Sequence, residues 1–213
     1  MKPVGVIAAI FDVDRTLVRP PTERLFFLYL IWRRKISLVQ ALCFLMKLPR
    51  QAEYRFQDKT YLKGLAVPEI ELLAGECYQK YIKPRLSRAG LACLQAHKEK
   101  DHKIIILTGS LQCLMLPLQR DLEADWLIAA ALETREGRCT GAVAGLHPRG
   151  NHKLLLLQEL AQREGIDLAS SYAYADHISD LPVLLSVGHA VAVNPSRRLR
   201  MSVRERGWPM RRF

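Results

Sequence analysis

The chain has no uncharged apolar run of about 18 residues, so a membrane-spanning helix is not expected. It has no Cys-x-x-Cys pair, and its five cysteines are an odd number. That argues against a disulfide framework and a structural zinc site, and it suits a reducing compartment. There is no low-complexity stretch and no internal repeat. The apolar stretch near the start is too short for a secretory signal and lacks a small-residue cleavage site, so the expected location is cytoplasmic. Acidic residues are few: 21 against 32 Lys and Arg, for a net charge of +11. The excess is local. Residues 19–83 and 197–213 carry +6 each, whereas 1–18 sum to zero and 84–196 carry −1. Basic surfaces of this kind attract phosphorylated substrates, lipids or nucleic acid, or are simply solvated.

At 213 residues the chain suits one domain, or a core with a small insert. Val4 to Ile10 is uncharged and mostly aliphatic, the pattern of a buried strand. Lys103 to Thr108, Tyr172 to Ala175, Ala190 to Val193 and Trp126 to Ala130 read the same way. Helical patterns fall between them, over Ser87 to Lys100, Leu111 to Leu122, Lys153 to Glu164 and Asp180 to Val187. This alternation predicts an α/β fold with a parallel sheet covered on both faces. Leu132 to Thr134 and Cys139 to Ala144 read as a β-hairpin turning at Gly137.

Phe11-Asp12-Val13-Asp14-Arg15-Thr16 closes the first strand. Two carboxylates two residues apart at a strand end aim the same way. Clustered carboxylates repel, so a metal ion or a shared proton usually accompanies them. In a parallel sheet the site lies beyond the carboxyl ends of the strands. Asp12, Thr108 and Asp176 each follow a predicted strand, so distant segments converge there.

Four motifs occur in order: Asp12-Val13-Asp14-Arg15-Thr16; Ile104 to Thr108 with Gly109-Ser110; Lys153 opening a helix; and Asp176-His177-Ile178-Ser179-Asp180 after a strand. Together they resemble the haloacid dehalogenase superfamily over essentially the whole chain. The spacing between the first two motifs, Ser179-Asp180-Leu181-Pro182 and Val193-Asn194-Pro195 resemble its phosphoserine-phosphatase-like branch, subfamily IB. The resemblance implies a Rossmann-like parallel sheet core, residues 1–18 and 84–213, with an all-helical C1 cap, residues 19–83, inserted after the first strand. It implies a phosphomonoesterase that forms an aspartyl-phosphate on Asp12, with Asp14 as general acid and base. Mg²⁺ is the implied cofactor, held by Asp12, the backbone carbonyl of Asp14, and Asp176, with Asp180 beside them. Thr108 and Gly109 would bind the phosphoryl group, and Lys153 would offset its charge. Ser110 reads as the cap of the next helix. His152 reads as a loop residue rather than a base.

His177 and Arg15 depart from the commoner family residues but remove no required carboxylate. His177 is expected to point away. Glu23, with Arg50 or Arg55, lies near the place where the family recognises the amine and carboxylate of phosphoserine.

Within 19–83, helical patterns cover Leu25 to Trp32, Leu38 to Lys47, Ala52 to Leu62 and Pro68 to Tyr81. Leu25 to Trp32 is apolar all round and precedes Arg33-Arg34-Lys35. Two readings stand: the residues pack the helical bundle, or they rest on the inner face of an anionic membrane and admit a lipid. The expected partner is therefore a phosphorylated small molecule or a lipid headgroup, with peripheral contact to anionic membrane as a corollary. The Arg-rich tail carries Leu199, Met201, Val203, Trp208 and Phe213 at spacings that suit packing, so nucleic acid is not an expected partner. The alternatives are a non-catalytic anion- or membrane-binding protein that kept the fold, and a phosphotransferase using the same intermediate.

Overall fold

The computed structural model describes residues 5–47 and 57–213. Six parallel strands form the main sheet, in the order β3-β2-β1-β6-β7-β8. They are β1 (Ala8–Phe11), β2 (Lys103–Leu111), β3 (Trp126–Ala130), β6 (Tyr172–Ala175), β7 (His189–Val193) and β8 (Met210–Arg211). A separate antiparallel hairpin joins β4 (Leu132–Arg135) to β5 (Arg138–Val143). Its turn places Glu136 and Gly137 at positive φ, which Gly137 adopts without a Cβ penalty.

Each central strand is buried on both faces, which explains why its sequence is continuously apolar rather than alternating. Ala8, Ile10, Ile105, Leu107 and Ala173 pack under α6 (Asn151–Glu164), α7 (Leu181–Ser186) and α8 (Arg197–Glu205). Ala9, Phe11, Ile104, Ile106 and Tyr174 pack on the other side, in the core that includes α4 (Arg88–Lys98) and α5 (Gln112–Asp121). Local chemistry sets the helix limits. Ser87 Oγ accepts the Gly90 N–H at 3.1 Å at the start of α4, and Gly165 ends α6 in the left-handed region.

Between β1 and β2 lie α1 (Thr22–Trp32), α2 (Leu38–Lys47) and α3 (Val67–Cys77). α3 continues into a π-turn over Tyr78–Ile82. Of the expected Ala52 to Leu62 helix, Thr60–Leu62 is a 3₁₀ turn, and residues 52–56 lie outside the described residues. Arg50 and Arg55 lie outside them as well. α1 buries Phe26, Tyr29 and Leu30 but exposes Leu28 and Trp32, and Leu42 and Met46 of α2 are also exposed. No helix among the described residues is long and apolar enough to cross a membrane.

The segment after residue 56 is bound to the hairpin by backbone hydrogen bonds. The Lys59 N–H donates to Gly141 O at 2.8 Å, Gly64 to Cys139 O at 2.8 Å, Cys139 to Leu65 O at 2.9 Å and Val67 to Gly137 O at 3.0 Å. Gly141 sits at φ +91°, and a Cβ there would come within 2.9 Å of Thr60 Cα, so the close approach requires glycine. The tail closes as α8 and β8, and Leu199 and Val203 are fully buried.

Candidate active site

The turn after β1, the end of β2 and the turn after β6 deliver Asp12, Thr108 and Asp176 to one edge of the sheet. They open into a cavity of about 730 Å³. This is where a parallel sheet leaves its strand ends unpaired and its backbone polar groups available. Asp12, Asp14, Thr108, Gly109, Lys153, Asp176 and Asp180 all line that cavity.

Lys153, in the first turn of α6, is buried. Its Nζ donates to Asp12 Oδ1 at 2.7 Å and to Asp180 Oδ1 at 2.9 Å. Burial works against its charge, but the two carboxylates hold its pKa above the ordinary value. Thr16 Oγ1 donates to Asp12 Oδ2 at 3.2 Å. Asp12 is pushed up to about 7, first by burial and then by Asp180 and Asp14, with Lys153 opposing. Burial and Asp180 push Asp176 up to about 6, against Arg15 and Lys153. Asp12, Asp176 and Asp180 each offer an oxygen within 4.8 Å of the others. Three buried carboxylates facing one lysine leave an excess of negative charge. Hard oxygen donors at this spacing suit a divalent cation such as Mg²⁺.

The Asp14 carboxylate is not in that group; the ligand that the resemblance assigns to Asp14 is its backbone carbonyl. Its Oδ1 accepts the Thr22 N–H at 2.7 Å and Thr22 Oγ1 at 2.9 Å, and its Oδ2 accepts Ser110 Oγ at 2.7 Å. The chain turns after Asp12 with Arg15 at φ +63°, so the two carboxylates reach the cavity with different partners. Only the backbone carbonyl of Asp14 stays a candidate ligand.

Ser110 also departs from expectation. β2 runs on through Leu111, which pairs with Ala130 beyond an irregularity in the ladder, so Ser110 is still in the strand and caps nothing. It binds Asp14 instead, and its N–H donates to Thr108 Oγ1 at 3.2 Å. His177 lines the cavity and does not point away. Its Nδ1 caps the short turn that carries Asp180 by accepting the Ser179 N–H at 3.2 Å. His152 is in α6 rather than in a loop.

Three residues were not singled out in the sequence. Lys59 is buried and donates to Glu23 Oε2 at 2.6 Å inside the cavity. Tyr61 lines the same wall. His147 packs against Gly109, where an added Cβ would sit 3.1 Å from His147 Cε1. Burial, with Lys59, Arg149 and Lys153, lowers His147 to about 4, so its ring is neutral. Nothing in the spacing marked these residues, although Glu23 itself was legible.

A parallel α/β core with a carboxylate-lysine cluster beyond its strand ends suits a divalent cation and a phosphoryl group. The model of the haloacid dehalogenase-like hydrolases matches residues 9–185. A phosphoserine phosphatase of Mycobacterium tuberculosis is 30% identical over 220 residues, covering 97% of this chain and 70% of that protein. A histidinol-phosphatase of Neisseria meningitidis is 28% identical, covering 96% and 98%. The crystal structure of a Bordetella pertussis protein of unknown function superposes with a TM-score of 0.82 at 23% identity, covering 97% and 98% of the two chains. The chain belongs to the haloacid dehalogenase-like hydrolases. Within that family it is a phosphatase of the phosphoserine-phosphatase-like branch.

Proposed function

We propose that this phosphatase hydrolyses the phosphate monoester of a small amino alcohol through an aspartyl-phosphate intermediate. The observation that carries the reading is Lys153, which holds Asp12 and Asp180 together beside Asp176 in a buried cluster. Asp12 Oδ attacks phosphorus as the bond to the leaving alcohol oxygen breaks, and protonated Asp14 gives its proton to that oxygen. Water then attacks the phosphoaspartate while Asp14 takes its proton, and the Asp12–phosphorus linkage breaks to release inorganic phosphate. Thr108 and Gly109 bind the phosphoryl oxygens, and Lys153 offsets the charge. Asp12, Asp176 and the Asp14 carbonyl would hold Mg²⁺, with Asp180 next to them. When bound, that ion supplies charge neutralisation at the phosphoryl group.

Residues 19–83 are read as a cap over a core of 1–18 and 84–213. In support, Glu23 and Phe27 of α1, Phe44 of α2 and the Lys59–Tyr61 turn all face the same cavity as Asp12. The leaving group therefore meets residues of the insert. Phosphoserine and histidinol phosphate, the esters that name the two relatives, share a primary amine next to the ester carbon. Glu23 is the group suited to that amine.

Phosphate release from a panel of such esters with Mg²⁺ tests the proposal, beside Asp12→Asn, which keeps the shape and removes the nucleophile. Release by wild type that disappears in the variant is expected. Equal release by both refutes the role of Asp12. The exposed Leu28, Trp32, Leu42 and Met46 support a second reading, a lipid headgroup substrate. Flotation with anionic liposomes at low salt tests it, and protein remaining in the unbound fraction refutes it.

A further inference from the structure

We infer that the leaving-group end of the cavity is built for an aromatic or heteroaromatic ring, so that the preferred substrate is an amino-alcohol phosphate carrying such a ring. The inference rests on the phosphomonoesterase reading above and specifies its substrate class.

Phe27, Phe44 and Tyr61 form a mutually contacting set. Their ring centroids are 5.4 Å apart for Phe27–Phe44, 5.2 Å for Phe27–Tyr61 and 4.9 Å for Phe44–Tyr61. The tilted and edge-on geometries are those that ring quadrupoles favour. All three line the cavity that holds Asp12. Phe27 and Phe44 pack against the core and are each only partly buried. They offer ring surface to the cavity that also holds Asp12, where a planar group gains apolar burial and quadrupolar contact together.

Polar groups frame this apolar wall. Glu23 and Lys59 pair at 2.6 Å on the cavity side. Tyr61 Oη and His147 Nε2 are buried and have no hydrogen-bond partner among the described residues. Buried polar atoms without partners are rare and costly, and a ligand is one of the few things that accounts for them. Both belong to side chains that line this cavity. A carboxylate in the same place would gain nothing from the three rings.

The test compares kcat/KM for histidinol phosphate, phosphoserine and phosphoethanolamine, all primary-amine esters, of which only the first carries a ring. Histidinol phosphate is expected to exceed the other two by about tenfold or more, the scale of one well-made ring contact. Phe44→Ala is expected to narrow the ratio between ring-bearing and ringless esters, a quantity that cancels any loss of folded protein. Phosphoserine or phosphoethanolamine used as well as histidinol phosphate would overturn the inference, as would an unchanged ratio in Phe44→Ala. If no ester is hydrolysed, the phosphomonoesterase reading falls, and calorimetry on the same protein decides the ring subsite separately. Tighter binding of histidinol phosphate than of phosphoethanolamine upholds it, and equal binding overturns it too.

Discussion

Ser110→Ala removes one hydroxyl from the carboxylate proposed as the general acid. The Asp14 carboxylate is oriented by three donors, the Thr22 N–H at 2.7 Å, Thr22 Oγ1 at 2.9 Å and Ser110 Oγ at 2.7 Å. Ser110 is the donor on Oδ2, whereas both Thr22 groups reach Oδ1. As the general acid the carboxyl is neutral, and a hydrogen bond between neutral groups contributes about 0.5–1.5 kcal/mol. The upper end, about 1.5 kcal/mol of orientation, corresponds to about a tenfold loss in the chemical step. The loss should depend on the leaving group. An alkoxide needs Asp14's proton to depart, whereas p-nitrophenolate does not. Single-turnover alcohol release with Mg²⁺ is the assay, because it reads the first step alone. An alkyl phosphate is expected to slow about tenfold and p-nitrophenyl phosphate far less, with KM little changed. Equal slowing of both esters would refute the argument. A rise in KM alone would instead assign Ser110 to the phosphate.

Three further outcomes are expected. Mg²⁺ at about a hundred times its Kd should add about 2.7 kcal/mol to stability, read as a raised Tm, and Asp176→Asn should lose most of that gain. No shift in the wild type would refute the cluster as a cation site. His97 is lowered to about 4 by burial and by His102, while its Nε2 lies 2.8 Å from Tyr174 Oη. A depressed histidine is protonated first in the unfolded chain, so its contribution is complete above pH 6.5 and fades as pH falls toward 4. The stability difference between wild type and His97→Phe in urea melts should shrink by about 2 kcal/mol from pH 7 to pH 5, and a constant difference would refute this. Gly109→Ala places a Cβ 3.1 Å from His147 Cε1 and 3.3 Å from Pro148 O. Its phosphate affinity should fall about tenfold by competitive inhibition, and unaltered inhibition would show that this approach does not matter.

Asp12, Thr108 and Asp176 were legible because each follows an apolar strand, and a parallel sheet gathers such positions without knowledge of any contact. Lys153 was legible through its place in an ordered set of motifs. Ser110 was misread because one residue of strand was at stake. β2 extends to Leu111 through pairing with Ala130, a partner contributed by the next strand rather than by the local sequence. The hydrogen-bond partners of the Asp14 carboxylate were not legible for a related reason. Its partners lie 8 and 96 residues away, and the second of those separations is visible only in the folded chain. Lys59 and His147 carried no pattern at all, since a buried lysine and a surface lysine have the same letter. The aromatic wall was partly legible as an apolar helix, but that Phe27 faces the cavity while Phe26 is sealed depends on how α1 packs.

The bonds between the hairpin and the segment from Lys59 to Val67 are bonds of the main chain. They hold the cavity-facing turn through the backbone, with glycine required at 141 by the close approach. The main-chain bonds at positions 59 and 64 to 67 do not depend on side-chain identity, whereas the buried Lys59–Glu23 pair and the packed Tyr61 ring do. The wall contributed by residues 19–83 and the wall of carboxylates thus come from separate stretches of chain that meet across the chamber.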